Sequence, residues 1–125
     1  MHEMGIASSI LEAVANEERR HAGVRATRVG VRIGELAAID PEALRFCFEV
    51  LVQGSEQDGL QLEIERVQRK HRCPDCKEEF VIRDYDFRCP RCGTVSVEFA
   101  AGDELELTFM EVSEDEPSSA GTKST

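Results

Sequence analysis

Four cysteines form the part of this chain with the clearest chemistry. They lie in two CPxC pairs, at residues 73–76 and 89–92, with residues 77–88 between them. Each pair can turn a tight loop, so that four thiolates meet at the corners of a tetrahedron, which is how structural zinc is held. The spacing therefore predicts a Zn2+ site formed by Cys73, Cys76, Cys89 and Cys92.

The same cysteines could serve three other chemistries. Two disulfides would suit a secreted chain, but we expect no apolar signal segment, and the cysteines number five. A redox CxxC normally stands singly in a βαβ context. An iron centre in the same ligand set stays open, because sulfur ligands suit both metals. The fifth cysteine, Cys47, falls on the apolar stripe of a predicted helix and is interpreted as a core residue.

A second group of donor atoms lies at the start of the chain. The amine of Met1, the backbone nitrogen of His2 and the imidazole of His2 can close adjacent chelate rings around one metal ion. Nitrogen-rich planar ligation suits Ni2+ or Cu2+, and it leaves a fourth position for the carboxylate of Glu3 or of another residue. From these residues alone, an ordinary exposed N-terminus, with Glu3 complementing a helix dipole, is the simpler interpretation.

Charge and composition restrict the partners. The 25 acidic residues outnumber the 15 basic ones, and the formal net charge is -10. A phosphate-backbone partner normally requires a basic face, whereas the basic cluster at residues 66–72 is short and is interpreted as a solvated strand end. The sequence has no apolar run of about 18 residues, so we expect no membrane span. These features favour a cytoplasmic protein with reduced thiols that does not bind nucleic acid.

Two amphipathic helices are predicted to support these sites. Apolar residues recur at helical spacing over residues 3–21, and Gly23 is expected to take a left-handed cap. A second helix opens with Asp40 as N-cap and Pro41 in the first helical position, and it ends at Gly54. Both helices are expected to cover one face of a sheet.

Three strands complete the predicted fold. Alternation of apolar and polar residues places them at residues 28–34, 60–65 and 104–112. The simplest arrangement pairs the second and third strands antiparallel and joins the first to the second through a helical crossover. The predicted fold class is α+β: a small mixed three-stranded sheet covered on one face by two helices, with an inserted four-cysteine, zinc-ribbon-like lobe. Apolar side chains of that lobe are expected to pack over the metal loop: Phe80, Val81, Ile82, Tyr85 and Phe87.

The arrangement predicts two domains and a tail. Residues 1–69 and 99–112 form an α/β domain, residues 70–98 form the zinc-binding lobe, and residues 113–125 form a disordered acidic tail. His21 is interpreted as a complement to the dipole of the first helix. His71 is interpreted as a surface residue, and the alternative is that it orients the zinc loop.

The combination of motifs resembles one known family. Met1-His2-Glu3 at the start, an Asp-Pro turn at Asp40 and two CPxC knuckles are similar to the HypA/HybF family of hydrogenase nickel-incorporation proteins, over about residues 1–112. The resemblance implies a nickel metallochaperone and not an enzyme. It implies nickel bound in the α/β domain by Met1 and His2, with Glu3 and Asp40 close by, and structural zinc at the four cysteines. It also implies two partners, a HypB-type nickel-handling GTPase and the large subunit of a nickel-iron hydrogenase.

Two rival functions rest on the residues alone. The knuckles would also serve a zinc-ribbon adaptor or nucleic-acid-binding module, although the net charge counts against nucleic acid. A zinc hydrolase would need an open coordination position, which four thiolates do not leave. Asp40 keeps two interpretations at this point, as a helix cap alone or as a cap that lies close to nickel.

Overall fold

A computed structural model describes residues 2–114 of the chain, apart from the side chain of His2. The predicted disordered tail was to begin at residue 113, but Ser113 and Glu114 lie in the last strand, and the tail from residue 115 onward lies outside the described residues. No helix among the described residues is long and apolar enough to cross a membrane. The elements in chain order are α1 (His2–Arg20), β1 (Val24–Gly34), a short 3-10 helix (Glu35–Ala37), α2 (Pro41–Val52), β2 (Gln61–Val67), β3 (Lys70–Arg72), β4 (Glu79–Val81), β5 (Phe99–Ala101) and β6 (Leu105–Glu114).

Both predicted helices are present, and α2 has its predicted N-cap. Gly23, three residues after the end of α1, has a positive φ of 81° in the turn that the N–H of Val24 closes on the carbonyl of His21 at 3.1 Å. Asp40 has extended backbone angles, and its side chain accepts hydrogen bonds from the backbone N–H groups of Glu42 and Ala43. Pro41 occupies the first helical position, where its missing N–H is not needed. The local signals in the sequence therefore fixed both helix starts to within a residue.

The two helices pack on each other and bury one apolar face of the sheet. Helices α1 and α2 contact each other along their lengths. Cys47 lies in this core, as predicted, and is 6% exposed. Apolar burial is the main favourable term for folding, and it places the α/β core here. The buried residues of this core include Ala7, Ile10 and Val14 of α1, Leu44, Cys47, Phe48 and Val52 of α2, Ala26, Val29 and Val31 of β1, and Leu62 of β2.

The first sheet has the strand order β2-β1-β6. The predicted direct pairing of the second and third strands is therefore wrong, because β1 lies between β2 and β6. The hydroxyl of Thr27 donates to the carbonyl of Glu111 at 3.2 Å, and the N–H of Gly34 donates to the carbonyl of Glu104 at 2.7 Å. A later residue of β1 is thus paired with an earlier residue of β6, so these two strands run antiparallel.

Ion pairs on the strands indicate the direction of the other pairing. Arg28 contacts Glu63 at 2.7 Å, and Arg32 contacts Glu65 at 3.3 Å. The later residue of β1 is thus paired with the later residue of β2, as in two parallel strands that are joined by a helical crossover. The predicted fold class, a mixed three-stranded sheet with two helices, is confirmed. Strand β1 begins at Val24, earlier than predicted.

Phe109 of β6 lies over Gly30 of β1. A Cβ atom added at Gly30 would meet Cε2 of the Phe109 ring at 2.1 Å. The guanidinium of Arg28 lies 5.2 Å from the centre of the same ring. The ring of Phe109 therefore fills the space that the missing side chain of Gly30 leaves.

Leu107 of β6 is exposed, although its alternation with polar residues predicted a strand with one buried face.

The described residues divide into two compact units. The first takes residues 2–31, 40–64 and 107–114, and the second takes residues 32–39 and 65–106. The second unit contains a small sheet of order β4-β3-β5. In that sheet His71 is opposite Phe80 on one side and Phe99 on the other.

Candidate metal centre

The four knuckle cysteines converge on one point. Their sulfur atoms all lie within 4.8 Å of one another. Sγ of Cys73 is 3.5 Å from Sγ of Cys92, and Sγ of Cys89 is 4.0 Å from Sγ of Cys76. A tetrahedral ion with Zn–S bonds of about 2.3 Å requires sulfur atoms about 3.8 Å apart. The observed separations fit such an ion, so these residues can hold a four-sulfur metal.

Both knuckles use the same local backbone geometry. The N–H of Lys77 donates to the carbonyl of Cys73 at 2.9 Å, and the N–H of Gly93 donates to the carbonyl of Cys89 at 2.8 Å. Lys77 and Gly93 both have positive φ, 66° and 81°. Within the first knuckle, the N–H of Cys76 also donates to Sγ of Cys73 at 3.3 Å. These turns point the four sulfurs toward one another.

A small apolar cluster supports the knuckles. Phe80 and Ile82 are buried together with Cys73 and Cys89, and Phe87 packs against them. This contact confirms the predicted packing for those three apolar residues. A lobe of this size has little apolar surface to bury, and a metal held by four cysteines is a common source of stability for such a lobe.

Tyr85 does not join that cluster, and the prediction that it would is wrong. Its side chain is 82% exposed. Asp84 and Tyr85 both have positive φ, 53° and 58°, and the flanking residues Arg83 and Asp86 form an antiparallel bridge. Two successive left-handed residues between bridged partners form a tight hairpin turn, which carries the tyrosine at its tip.

His71 is buried, contrary to its interpretation as a surface residue. It is 3% exposed, and its Nδ1–H donates to the carbonyl of Ser96 at 2.9 Å. Its Nε2 accepts from Nε of Arg69 at 3.3 Å, and its ring centre is 5.4 Å from that of Phe87. These bonds join β3, which leads into the first knuckle, to the segment that follows the second. The position of His71 on the same face as Phe80 was the missed signal.

The cysteines differ in their readiness to bind a metal. The side chain and backbone N–H of Thr94 stabilise a thiolate at Cys92 and lower its pKa to about 6. The pKa of Cys76 is raised to about 12, first by its hydrogen bond with Cys92 and then by desolvation. A thiolate is the metal-binding form. At neutral pH Cys92 can therefore offer a ready ligand, whereas Cys76 must lose its proton as the metal binds.

The nickel residues suggested by the resemblance are partly within the described structure. Met1 and the side chain of His2 lie outside it. Glu3 lies in the first turn of α1, and Asp40 precedes α2. The backbone N–H of Asp40 donates to Oε2 of Glu3 at 3.0 Å. The structure thus brings Glu3 and Asp40 together, although they are far apart in sequence.

His21 lies at the C-terminal end of α1, close to a carboxylate. Its Nε2 is 3.6 Å from Oε1 of Glu17, one helical turn earlier, and both side chains are exposed. This position agrees with a complement to the helix dipole and gives no sign of a metal ligand.

Fold and site together define a class of protein. One unit is an α+β unit with two helices, in which the N–H of Asp40, before α2, donates to the carboxylate of Glu3, in the first turn of α1. The other unit carries the four-cysteine centre. Such an arrangement is that of a small metal-binding protein.

Comparison with known proteins identifies the family. Residues 1–112 match the family model described as "Hydrogenase/urease nickel incorporation, metallochaperone, hypA". The hydrogenase maturation factor HypA of Geotalea uraniireducens is 41% identical over 112 residues, covering 90% of this chain and 99% of the relative. That of Chlorobium luteolum is 40% identical over 115 residues, covering 92% and 98%. The chain therefore belongs to the HypA family of nickel-incorporation metallochaperones.

Solved structures agree with this assignment. A solution structure of a HypA protein matches with a TM-score of 0.64 at 26% identity, covering 89% of this chain and 95% of the other. The fold is also that of the nickel metallochaperone HypA from Helicobacter pylori, with a TM-score of 0.59 at 24% identity, covering 90% and 98%. The predicted family and the predicted role in nickel incorporation are confirmed.

Proposed function

We propose that this chain holds Zn2+ permanently at Cys73, Cys76, Cys89 and Cys92. The near-tetrahedral spacing of their sulfurs supports this assignment. Four thiolates fill the coordination sphere of zinc, so the ion would be structural and the lobe would not be catalytic. Iron would accept the same ligands, and metal analysis of the purified protein distinguishes the two.

Nickel, the cargo, would bind at the N-terminus through the amine of Met1 and the imidazole of His2, with Glu3 and Asp40 nearby. The contact between Asp40 and the Glu3 carboxylate is the observation that carries this proposal, since it gathers two acidic groups beside the start of α1. Both capping hydrogen bonds of Asp40 end on Oδ1. Capping through Oδ1 and metal binding through Oδ2 are therefore compatible.

The location at a helix start suits a metal that must be released. The N-terminal end of a helix carries partial positive charge and disfavours a cation. The carboxylates of Glu3 and Asp40 would offset that repulsion without removing it. A moderate nickel affinity follows, and moderate affinity allows transfer to another protein.

We divide the chain into a domain that would bind nickel, a lobe that would bind zinc, and a tail. Residues 1–69 and 99–112 would form the nickel-binding α/β domain, residues 70–98 the zinc lobe, and residues 113–125 an acidic tail. The proposed partners are a HypB-type nickel-handling GTPase and the large subunit of a nickel-iron hydrogenase, in the cytoplasm. The names of the relatives, hydrogenase maturation factors, support the second partner. The protein would deliver metal without catalytic turnover.

Nickel transfer tests this function. The nickel-loaded chain would be mixed with the nickel-free precursor of a hydrogenase large subunit and its GTPase, and nickel in the large subunit would be measured after separation. We expect transfer from the native chain and none from His2→Ala. Equal transfer from both proteins would contradict delivery through the N-terminus. A tight, salt-dependent affinity for DNA or RNA would instead favour the nucleic-acid-binding alternative.

A further inference from the structure

The two knuckles repeat one pattern, and the repeat defines equivalent positions. In each, a proline and a variable residue separate the cysteines. The variable residue is Asp75 in the first knuckle and Arg91 in the second. The second residue after the last cysteine of each knuckle is Glu78 in the first and Thr94 in the second. The backbone carbonyls of Glu78 and Thr94 also accept equivalent hydrogen bonds, from the N–H groups of Cys73 and Cys89 at 2.9 and 2.8 Å.

Side chains at these equivalent positions bind each other across the centre. The hydroxyl of Thr94 donates to Oδ2 of Asp75 at 2.7 Å. Nη1 of Arg91 donates to Oε2 of Glu78 at 2.6 Å. Each knuckle therefore contributes its variable residue to one contact and its following residue to the other. The two contacts link the knuckles independently of the sulfur atoms.

The two links differ in their distance from the metal ligands. Thr94 donates its one hydroxyl proton to Asp75, and its Oγ1 also lies 3.3 Å from Sγ of Cys92, so this hydrogen bond between the knuckles lies directly beside a ligand sulfur. The Arg91–Glu78 pair joins two exposed side chains, 63% and 59% accessible. An exposed ion pair contributes little, whereas a hydrogen bond beside a ligand atom orients that ligand.

We propose that Thr94 and Asp75 are positioning residues for the metal centre. Asp75 holds the Thr94 hydroxyl against Sγ of Cys92, which fixes the sulfur of the most exposed cysteine at the ion and slows loss of the metal. This inference rests on the zinc part of the proposed function. The Arg91–Glu78 pair is the natural control, because its side chains link the same knuckles, while the contact of Arg91 with Sγ of Cys89 is made by its backbone N–H, which Arg91→Met keeps.

The expected loss of zinc affinity differs between the Thr94–Asp75 link and the Arg91–Glu78 link. Loss of a partner that orients a metal ligand typically weakens metal binding about 10- to 100-fold. Loss of an exposed ion pair costs at most about 1 kcal/mol, or about fivefold. Thr94→Val should therefore raise the zinc dissociation constant about tenfold or more, and Arg91→Met by less than about fivefold. Thr94→Ser, which keeps the hydroxyl, should restore nearly native affinity.

The experiment uses the full-length chain with Zn2+ and, as a coloured probe, Co2+. Zinc affinity and the rate of zinc loss to a chelator would be measured for the native protein and for Thr94→Val, Thr94→Ser, Asp75→Asn and Arg91→Met. We expect faster zinc loss from Thr94→Val and from Asp75→Asn than from the native protein. The double variant should bind zinc no more weakly than the weaker-binding single variant. The sulfur-to-cobalt absorption band follows the bound metal directly, and Co2+ should also be lost faster from Thr94→Val than from Arg91→Met.

Several results would overturn the inference. Native-like zinc retention in Thr94→Val, Co2+ loss from Thr94→Val no faster than from Arg91→Met, or equal losses in Thr94→Ser and Thr94→Val would each remove the role of the hydroxyl. Fully additive effects of Thr94→Val and Asp75→Asn would show that the two residues do not act as a pair. If the native chain itself bound neither Zn2+ nor Co2+ at the cysteines, the zinc part of the proposed function would fail. Helical circular dichroism checks that α1 and α2 stay folded in every variant.

Discussion

Replacing Asp40 separates two roles that one carboxylate can serve. Its Oδ1 accepts from the N–H of Glu42 at 3.0 Å and of Ala43 at 3.4 Å, and its own N–H donates to Glu3. Asp40→Asn keeps an oxygen that caps a helix equally well but removes the charge, whereas Asp40→Ala removes both. The two variants therefore distinguish capping from metal binding.

The effects on stability follow from the cap geometry. Loss of an N-cap side chain to alanine costs about 1 kcal/mol. For a chain of this size, that cost lowers the melting temperature of Asp40→Ala by about 3–6 °C. Asp40→Asn keeps the cap and should lose only the favourable charge at the helix start, about 0.3 kcal/mol at this exposed position, so it should be clearly less destabilised than Asp40→Ala. Urea unfolding of the zinc-loaded proteins, followed by circular dichroism, measures both values.

Nickel binding should respond in a different pattern. A charge pair about 4 Å apart contributes between about 1 kcal/mol in bulk water and about 4 kcal/mol near a protein surface. Both Asp40→Asn and Asp40→Ala should therefore weaken nickel binding about fivefold or more, measured by calorimetric titration. Native nickel affinity in Asp40→Asn would refute a role beyond capping. Equal destabilisation by Asn and Ala would refute the cap.

Two further perturbations test the fold and the metal centre. Gly30→Ala should destabilise the protein by about 1–3 kcal/mol in denaturant unfolding, because the new Cβ meets the Phe109 ring at 2.1 Å. Gly5→Ala is the control, since nothing lies within 4 Å there, and it should be neutral or stabilising by up to about 1 kcal/mol. Metal affinity of the cysteine centre, measured by chelator competition, should fall as pH is lowered, because protons compete for sulfur. The fall should steepen below about pH 6, where Cys92, whose pKa is lowered to about 6, also takes up a proton, while Cys76, at about 12, is protonated throughout. A flat pH profile would contradict thiolate ligation.

Local patterns predicted the parts of the molecule that are built locally. The starts of α1 and α2 follow from helical spacing and from the cap at Asp40, which concerns neighbouring residues only. The two knuckles also close within a few residues, so their CPxC spacing was enough to predict the cysteine cluster. The helix starts and each single knuckle depend on neighbouring residues, whereas the meeting of the two knuckles was inferred from the repeated CPxC spacing.

Contacts between distant segments were not predictable in the same way. Alternation gives a strand its two faces but does not select its neighbour, so it could not reveal that β1 lies between β2 and β6. Tyr85 was expected in the lobe's core from its aromatic ring, but the positive φ of Asp84 and Tyr85 turns it outward. His71 was expected at the surface because basic residues surround it, yet Ser96 accepts its hydrogen bond inside the lobe. In each case a long-range contact or an unusual backbone angle decided the outcome.

The link between Asp75 and Thr94 belongs to the same group. Each residue looks like an ordinary polar loop position in the sequence. Their contact at 2.7 Å depends on the two knuckles facing each other, which only the folded lobe brings about. The repeat of the CPxC pattern is the one signal in the sequence that could have suggested it.

Nickel titration of the untagged, zinc-loaded chain tests the central claim most directly, when it is compared with a version that carries extra residues before Met1. The extension removes the free amine of Met1 while leaving every side chain in place. We predict one nickel per native chain, no comparable nickel binding by the extended chain, and one zinc per chain in both. Equal nickel affinity in the two proteins would contradict ligation by the N-terminal amine.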